Sequence, residues 1–421
     1  MLSVYRTLTN LILVFSPIII FIRLLKKREH PTRFKEKFGF YTKKRLEGKL
    51  IWFHGASVGE ILSIIPLIEK LEKNQKIKQI LITSNTLSSS KILLNFRLKK
   101  TIHQFFPIDT NYHTQKFLNY WRPSNAIFID SEIWPNMITN IKKKPISLIL
   151  INARITDKSF KKWKIFSSYA KTFFQKFDLC LSSSLKSKRY LKILGAKKIK
   201  YFGNLKFTES ENYTDNLTNN LRKFLLSKKI WCASSTHDIE EKICSLVHKN
   251  LKNKYKNLLT IIIPRHIHRS KEIESEIKKL GLKIHMHNSK KKIDRKTDIY
   301  LVNSFGQTRS FFKMSKTVFL GGSLISHGGQ NPLEAARYGC KILHGPNIWN
   351  FKEIYALLKK HKVSNKILNI NQLTTNINRM FDSKNETKNL ELKIKRLGNK
   401  ILNSTLNEVN FYIKKNEIKK T

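Results

Sequence analysis

The sequence predicts an α/β protein with two doubly wound, Rossmann-like halves behind an apolar amino-terminal helix. Two observations predict the fold class: short apolar runs alternate with amphipathic helical stretches beyond residue 48, and the second half repeats that scheme. A third observation is the length, because 421 residues exceed what one ordinary hydrophobic core organises and suit two domains.

The amino-terminal element contains an uncharged apolar run at residues 11–22 (LILVFSPIIIFI). This run is shorter than the ~20 residues that span a bilayer, but residues 4–25 are long enough, with Arg6 and Arg23 reaching opposite headgroup layers. A helix lying in the membrane interface is the alternative, whereas a cleavable signal peptide would need a small-residue cleavage site. The basic residues 26–28 predict that the following chain stays cytoplasmic. We therefore expect a single anchor at the inner membrane.

Four candidate strands lie in each half of the chain. They are 50–54 (LIWFH), 80–83 (ILIT), 126–129 (AIFI), 146–151 (ISLILI), 230–234 (IWCAS), 258–264 (LLTIIIP), 299–302 and 317–320. The expected domains are an anchor over 1–30, a first domain over 31–210, a second over 211–385, and a helical segment over 386–421 that packs back on the first. Ligands of such sheets bind at the carboxyl ends of the strands, where the polar and glycine-rich motifs fall.

The charge is unusual, with 81 Lys and Arg against 29 Asp and Glu and a net charge of +52. This excess predicts an anionic partner such as nucleic acid, anionic lipid or a phosphorylated substrate, although a lysine-rich codon bias explains part of it. The sequence has no helix-turn-helix, zinc or RNA-recognition signature, so no specific nucleic acid is expected. The four cysteines form no CxxC pair, which predicts buried thiols in a reducing compartment.

The first chemical motif is HGASVGE, residues 54–60, which follows a strand and opens a helix. Small residues and a helix start let a ligand approach free backbone amides. Glu60 is a candidate general base that takes a proton from an attacking hydroxyl. The alternative is a first-turn glutamate that only favours the helix dipole.

Two further motifs of the first half supply a carboxylate and a lysine. In DSEIWPN, Glu132 lies at a strand end before a turn, although Asp130 or Ser131 could merely cap a helix that begins near Pro135. In GNLKF, Lys206 could reach a developing negative charge or be an ordinary surface lysine.

The second half carries motifs suited to phosphate. Residues 234–237 (SSTH) lead into an acidic helix start, and Arg265 and Arg269 follow a strand end as fork-like cations. His266 and His268 have no carboxylate or third ligand nearby in the sequence, which disfavours a metal site.

The longest motif is GGSLISHGGQNPLEAARYGCKILHGPNIWNF, residues 321–351. Its glycines let the backbone close on a phosphate group, while Asn331-Pro332-Leu333-Glu334 opens a helix. Glu334 is well placed to bind vicinal ribose hydroxyls. The motif is more specific than a single glycine-rich loop because it adds fixed proline and glutamate positions and a second Gly-Pro turn.

Together these motifs resemble the Kdo (3-deoxy-D-manno-octulosonic acid) transferase family of inverting glycosyltransferases, whose GT-B fold has two Rossmann-like domains facing a cleft. The resemblance covers nearly the whole chain: the anchor, HGASVGE, SEIWPN, NARIT, GNLKF, ASSTH, PRH and GGQNPLE occur in family order. Several matched motifs in order are much more specific than any one of them.

The resemblance implies a CMP-Kdo donor held by the second domain, a lipid IVA-type acceptor facing the first, and an anionic inner-membrane surface as a partner. By similarity, Glu60 is the general base, and Glu132 and Lys206 stabilise the transition state of a single displacement with inversion. The implied CMP-binding residues are Pro264, Arg265, Phe305, Gly306, Gln307, Asn331, Pro332, Leu333 and Glu334. Neither a metal ion nor another cofactor is expected, because the sequence has no Asp-x-Asp pair and helix amides with Arg265 would replace the metal.

Three residues depart from the family pattern. Asn303 and Gln307 stand where the family usually has an acidic residue, and Gln330 stands where it commonly has histidine. The open alternatives are another GT-B sugar-nucleotide transferase or epimerase, and a non-enzymatic basic protein that binds nucleic acid or membranes. An anchor disfavours an epimerase acting on soluble nucleotides.

Overall fold

The computed structural model describes residues 1–26, 29–208, 217–289, 291–304, 306–382 and 386–418. The chain divides into two compact units, unit 1 (Met1–Tyr213 with Gly398–Thr421) and unit 2 (Thr214–Leu397). Lys27 and Arg28 of the basic run lie outside the described residues, as do the expected domain boundaries at 210 and 385.

In the described part of unit 1, seven parallel strands form one sheet in the order β3-β2-β1-β4-β5-β6-β7. They are β1 (Lys49–His54), β2 (Ile77–Ser84), β3 (Thr101–Phe105), β4 (Asn125–Ile129), β5 (Ser147–Ala153), β6 (Leu179–Ser182) and β7 (Ile199–Tyr201). Every residue of β4 and β5 is buried, as expected for parallel strands that are covered on both faces. The chain order reverses between β1 and β4, so the loops after these strands meet at the carboxyl edge of the sheet.

The helices before residue 200 are short apart from the first two, and most begin at a hydroxyl side chain. They are α1 (Leu2–Leu25), α2 (Val58–Glu72), α3 (Leu87–Ile92), α4 (Asn111–Trp121), α5 (Pro135–Ile141), α6 (Asp157–Ile165), α7 (Ser167–Phe174) and α8 (Leu185–Ile193). Ser57, Thr86, Thr110, Thr156 and Ser184 each accept a hydrogen bond from the amide three residues later, which satisfies an otherwise unpaired donor.

In unit 2, seven parallel strands of the described residues form a second sheet in the order β10-β11-β9-β8-β12-β13-β14. They are β8 (Lys229–Thr236), β9 (Leu258–Pro264), β10 (Ile284–Met286), β11 (Ile299–Leu301), β12 (Thr317–Leu320), β13 (Lys341–His344) and β14 (Ser364–Lys366). The helices are α9 (Asn219–Leu226), α10 (Glu240–Lys252), α11 (Ser270–Lys279), α12 (Thr308–Met314), α13 (Leu333–Arg337), α14 (Lys352–Lys360) and α15 (Ile370–Asp382). Here the order reverses between β8 and β12.

The last helix, α16 (Glu386–Ile418), packs its later turns on unit 1. A Cβ atom at Gly398 would lie 2.5 Å from the carbonyl oxygen of Phe207, so only glycine allows the helix to approach this closely. Gly203 has φ +119°, and a Cβ atom there would lie 2.6 Å from Cδ1 of Ile401. These two glycines fix the 203–207 segment against α16.

Helix α1 is docked on unit 1 by polar side chains near its amino end. The Tyr5 hydroxyl donates to Oδ2 of Asp109 at 2.8 Å, and the Arg6 guanidinium donates to Asn111 and Asn136, both at 3.1 Å. Its apolar residues are mostly exposed, and by length and composition alone the helix could cross a membrane, with a mean hydropathy of 2.2. The exposed apolar residues of α1 are Val4, Leu8, Leu11, Ile12, Val14, Phe15, Ile18, Ile19, Phe21, Ile22 and Leu25.

The two sheets confirm the prediction of two doubly wound α/β units, and each of the predicted strands corresponds to an observed one. The described residues contain six strands that were not predicted: β3, β6, β7, β10, β13 and β14. The four cysteines are free and buried, as expected.

Candidate functional site

The carboxyl edge of the unit 1 sheet brings together the three residues that the sequence singled out in the first half. Glu60 lies in the first turn of α2 after β1, Glu132 follows β4, and Lys206 lies in a short 3-10 turn against α16. Asp130, at the end of β4, is a fourth charged member of this group, which we call the acidic cluster (Glu60, Asp130, Glu132 and Lys206).

Glu60 forms a reciprocal cap with the start of its own helix. Its Oε2 accepts from the Ala56 amide at 2.7 Å and its Oε1 from the Ser57 hydroxyl at 2.8 Å, while the Ser57 side chain accepts from the Glu60 amide. The Ala56 amide expected to be free for a ligand is therefore occupied. The carboxylate caps the start of its helix, in the first turn where it also favours the helix dipole, and its surroundings further alter its chemistry.

The pKa of Glu60 is raised from 4.5 to about 7, first by burial and then by the negative charge of Glu132, with a further contribution from Asp130. The hydrogen bonds from Ser57 and Ala56 act in the opposite direction. A carboxylate with this pKa is partly deprotonated near neutral pH and holds an accepted proton well. Such a group is suited to act as a general base.

Glu132 is held by two aromatic side chains, those of Trp134 and His54. Its Oε2 accepts from the indole Nε1 of Trp134 at 2.8 Å and lies 3.2 Å from Nε2 of His54. His54 is fully buried and stacks on Phe106, with ring centroids 3.9 Å apart. Burial lowers the pKa of His54, so the imidazole is neutral and the charge of Glu132 is left to act on Glu60.

Asp130 binds Lys206 instead of capping a helix. Helix α5 begins at Pro135, as predicted, but its N-cap is Trp134 and no side chain caps it, so the capping interpretation of Asp130 and Ser131 is wrong. Asp130 is buried with φ +60°, and its Oδ2 lies 3.2 Å from Nζ of Lys206. Lys206 is thus paired with Asp130 within the acidic cluster and is not an isolated surface lysine.

A short loop frame holds Lys206 in this position. The Asn204 side chain accepts from the Lys206 amide at 2.9 Å, and the Asn152 side chain accepts from the Leu205 amide at 3.0 Å. Asn152 belongs to β5, next to the strand that carries Asp130, so the lysine and its partner are fixed to adjacent strands.

In unit 2, the buried carboxylate of Glu240 organizes the glycine-rich loop. It accepts from the amides of His237, Gly322, Ser323 and Leu324 at 2.7–3.1 Å. A Cβ atom at Gly321 would lie 2.5 Å from the carbonyl oxygen of Ser235, which explains the requirement for glycine at this position. In the sequence, Glu240 belongs to the acidic helix start that follows residues 234–237, and nothing in its spacing identifies this role.

Imidazoles and guanidiniums gather at the carboxyl edge of unit 2, and we call them the cationic cluster (His237, Arg265, His266, Arg269 and His327). The ring of His237 lies 4.3 Å from that of His327 and 5.4 Å from that of His266, centroid to centroid. Burial, then the charges of the four other members, lower the pKa of His237 to about 4. Because the cluster resists further positive charge, it is suited to receive an anion.

The residues implied to bind CMP follow three strands of this same sheet. Pro264 ends β9, and Arg265, a member of the cationic cluster, has an exposed side chain. Gly306 has φ +83°, Gln307 precedes α12, and Phe305 lies outside the described residues. Asn331 accepts from the Leu333 amide, and Pro332 immediately precedes α13, which is only five residues long.

Glu334 has a protein partner that the sequence did not reveal. Its Oε1 lies 2.9 Å from Nε of Arg309, a buried arginine of α12. Two of the departures from the family pattern also have structural contacts. Asn303 accepts from the Asn288 amide, and the carbonyl oxygen of Gln330 accepts from the Tyr355 hydroxyl.

Among the described residues, one group of carboxylates is close enough together to hold a metal ion: Asp238, Glu272 and Glu276, with oxygens within 4.8 Å of one another. Asp238 and Glu272 both pair with the Arg269 guanidinium. That arginine already supplies the positive charge that a metal would bring, and His266 and His268 are not part of the group.

Comparisons with known proteins identify relatives over almost the full length. A family model described as 3-deoxy-D-manno-octulosonic-acid transferase (kdotransferase) matches residues 32–209. The 3-deoxy-D-manno-octulosonic acid transferase of Rickettsia bellii is 33% identical over 414 residues, covering 96% of this chain and 98% of that protein. The probable mitochondrial 3-deoxy-D-manno-octulosonic acid transferase of Arabidopsis thaliana is 32% identical, covering 85% and 83% of the two chains.

Solved structures give the same fold. The UDP-GlcNAc 2-epimerase from Neisseria meningitidis, bound to UDP-GlcNAc, aligns with a TM-score of 0.58 over 87% of this chain and all of that one. The two share 14% sequence identity, so the similarity concerns the fold alone. It confirms the predicted GT-B class of α/β fold.

Proposed function

The chain belongs to the Kdo transferase family and is a glycosyltransferase, and from this premise we propose that it transfers Kdo from CMP-Kdo to a lipid A precursor of the lipid IVA type. The observation that carries the proposal is Glu60, a carboxylate whose pKa of about 7 suits it to accept a proton from a sugar hydroxyl.

The proposed reaction is a single displacement. The acceptor hydroxyl gives its proton to Glu60 while its oxygen forms a bond to the anomeric carbon of Kdo. The bond from that carbon to the phosphate oxygen of CMP breaks, and CMP leaves with the electron pair. Attack opposite the departing phosphate inverts the anomeric configuration.

The other members of the acidic cluster assist in different ways. Glu132 raises the pKa of Glu60, which strengthens the base, and its negative charge favours positive charge that develops on the sugar. Lys206 stabilises negative charge that develops in the transition state. Its pairing with Asp130 positions the ammonium group 3.2 Å from a buried carboxylate and fixes its direction.

For the donor, we assign the phosphate of CMP to the cationic cluster and the nucleoside to the segment 305–307 with Asn331 and Glu334. Arg265 supports this assignment, because its exposed guanidinium has the geometry for bidentate phosphate contacts. Glu334 would reach the ribose hydroxyls while Arg309 holds its carboxylate in place. In this proposal no metal ion is required, because the Arg265 guanidinium supplies positive charge near the departing phosphate and the neutral imidazoles donate hydrogen bonds to it.

We further propose that the protein acts at the inner face of the cytoplasmic membrane and that α1 lies in the membrane interface. The contacts of α1 support this arrangement over a span. Arg6 donates to Asn111 and Asn136 of unit 1, and Arg23 pairs with the buried Glu29 at 2.7 Å. A helix tied to the globular unit near both ends does not send Arg6 to the far headgroup layer, whereas its exposed apolar face suits one leaflet.

The proposal is tested by incubating the purified full chain, in vesicles that contain lipid IVA, with CMP-Kdo and EDTA, and by measuring the mass of the lipid product. We expect lipid IVA to gain one or more Kdo residues and CMP to be released in equal amount. A parallel reaction with UDP-GlcNAc as the donor serves as the control.

Three results would contradict parts of the proposal. If lipid product forms with UDP-GlcNAc and not with CMP-Kdo, the proposed donor is wrong. Conversion of free UDP-GlcNAc without lipid would indicate an epimerase. Product that disappears with EDTA and returns with Mg²⁺ would overturn the metal-independent chemistry.

A further inference from the structure

The corner between α6 and α7 exposes two large apolar residues to solvent. Ile165, the last residue of α6, is 73% exposed, and Phe166, the next residue, is 48% exposed. Helix α6 itself has no buried residue. Adjacent exposed aliphatic and aromatic side chains carry a hydration cost that a partner would relieve.

Lysines surround this apolar tip. Lys158, Lys161, Lys162 and Lys164 are all exposed on α6, and the single acidic residue of the helix, Asp157, pairs with Lys186 at 2.7 Å. Residues 158, 161, 162 and 165 lie three or four positions apart, so they share one face of the helix, and Lys164 directly precedes Ile165 at its tip. The combination of apolar tip and lysine-rich face is typical of segments that lie on anionic lipid.

The opposite face of α6 is anchored in unit 1. Trp163 packs against Phe173 and Phe174, with ring centroids 5.5 and 5.2 Å apart, and Phe160 stacks on Tyr190 at 4.0 Å. The aromatic residues of α6 therefore hold the corner against unit 1. Ile165 is exposed even though the other face of its helix is packed.

The start of α7 lies near a residue that binds α1. Tyr169, in the first turn of α7, is close enough to Asp109 for that carboxylate to add to the effect of burial and raise the pKa of Tyr169. Asp109 is the residue that accepts the hydrogen bond from Tyr5 of α1. The amino-terminal turns of α1 and the first turn of α7 thus lie near the same buried carboxylate of unit 1.

We propose that the α6–α7 corner is a second membrane contact, in which Ile165 and Phe166 enter the headgroup layer of an anionic lipid surface. Lys161, Lys162 and Lys164 bind lipid phosphates while their aliphatic stems cover the apolar tip. Each lysine near such a surface changes the docking equilibrium by roughly fivefold, and the apolar pair adds to this. The inference rests on the proposed membrane location of the chain and extends it to an element outside α1.

The test uses the full chain labelled with an environment-sensitive fluorophore at one engineered cysteine, since the four native cysteines are buried. The labelled variants are Ile165→Cys, Val14→Cys on α1, and Leu226→Cys on α9 as the matched control. The three positions are 73%, 72% and 70% exposed, and Leu226, like Ile165, has lysines nearby in the chain, Lys228 and Lys229. Vesicles of equimolar phosphatidylglycerol and phosphatidylcholine carry a lipid-bound quencher.

We expect the labels at 165 and 14 to shift to shorter wavelength and to be quenched, and the label at 226 to remain unchanged. Replacing Lys161, Lys162 and Lys164 with glutamine, or using molar NaCl with its ~3 Å Debye length, should release the label at 165 and leave the label at 14 quenched.

The outcomes separate this inference from the proposed location. Quenching at 14 with none at 165 would overturn the second contact alone. Quenching at neither position would contradict both the membrane location of α1 and the second contact. Equal quenching at 165 and 226 would show that the corner binds lipid only by non-specific adsorption. A response at 165 to single-stranded RNA, with none to vesicles, would assign the corner to nucleic acid and contradict the inference.

Discussion

The acidic cluster of unit 1 and the cationic cluster of unit 2 lie at the same edge of similar sheets but crowd charges of opposite sign. In unit 1, Glu132 and Asp130 raise the pKa of Glu60 to about 7 in addition to the effect of burial. In unit 2, imidazoles and guanidiniums lower the pKa of His237 to about 4, again in addition to burial. Burial and like charges therefore act together in both units, and in each they disfavour the ionised form.

The two clusters differ in the protonation state that they favour near pH 7. Glu60 is balanced between its two protonation states near pH 7, so it can accept a proton and release it again. His237 is neutral at that pH and would gain favourable interactions only when a negative group arrives. The comparison assigns proton transfer to unit 1 and anion binding to unit 2, and the following predictions test that division.

The largest expected effect is the loss of the base in Glu60→Gln. The side-chain oxygen of glutamine can still accept from the Ala56 backbone N–H, so the helix start should be preserved. Glutamine, however, cannot accept the proton of the sugar hydroxyl. We expect kcat to fall by about 10²–10⁴-fold while CMP binds with unchanged affinity. Initial rates of Kdo transfer and calorimetry with CMP measure the two quantities.

Glu47→Gln is the matched control, because it makes the same charge change at an exposed position of unit 1. It should retain wild-type activity. If both variants have the same activity, proton transfer does not belong to Glu60, and the capping of α2 is its whole role.

The next effect concerns unit 2. Arg265→Ala removes the exposed guanidinium of the cationic cluster, and we expect the affinity for CMP to fall about 10–100-fold, as for one or two charge-assisted hydrogen bonds. Arg295→Ala, at another exposed position of unit 2, should leave the affinity unchanged. Unaltered CMP binding by Arg265→Ala would contradict the assignment of the donor phosphate to this cluster.

A smaller and more specific effect is expected for Glu132→Gln. In the wild type, kcat/KM should rise with pH through about 7, because the base acts in its deprotonated form above its pKa. Removing the charge of Glu132 should lower that pKa toward 4.5 and move the rising limb to lower pH. A pH–rate profile that keeps its position in the variant would contradict the coupling of the two carboxylates.

The sequence predicted the central strands because they are buried on both faces and appear as continuous apolar runs. Some of the strands that it missed bury polar residues with distant partners, others expose their side chains, and β6 and β13 are buried but only four residues long. In β3 (TIHQF), His103 bonds to Arg33, 70 residues earlier, and Gln104 is buried, so no apolar alternation appears. Most of β7 is exposed at the sheet edge.

The candidate site was predictable in its motifs but not in its pairings. Asp130 and Lys206 are 76 residues apart and meet because the strands that precede them end at the same edge of one sheet. Arg309 likewise meets Glu334 across two different helices. Local spacing contains no information on such contacts, which is why Asp130 was interpreted as a possible helix cap.

The smallest expected effect is the uptake of a proton by His237 when CMP binds. At pH 6, His237 is mostly neutral because its pKa is about 4, and a bound phosphate favours the imidazolium and raises that pKa toward or above 6.5. CMP binding should therefore take up a fraction of a proton, and its affinity should increase as the pH falls from 7 to 6. Calorimetry in two buffers of different ionisation enthalpy measures the uptake. His237→Asn should reduce it, whereas His361→Asn, at a partly buried histidine of α14's carboxyl end, should not. Equal uptake by the two variants would place the titrating group elsewhere and remove His237 from the anion site.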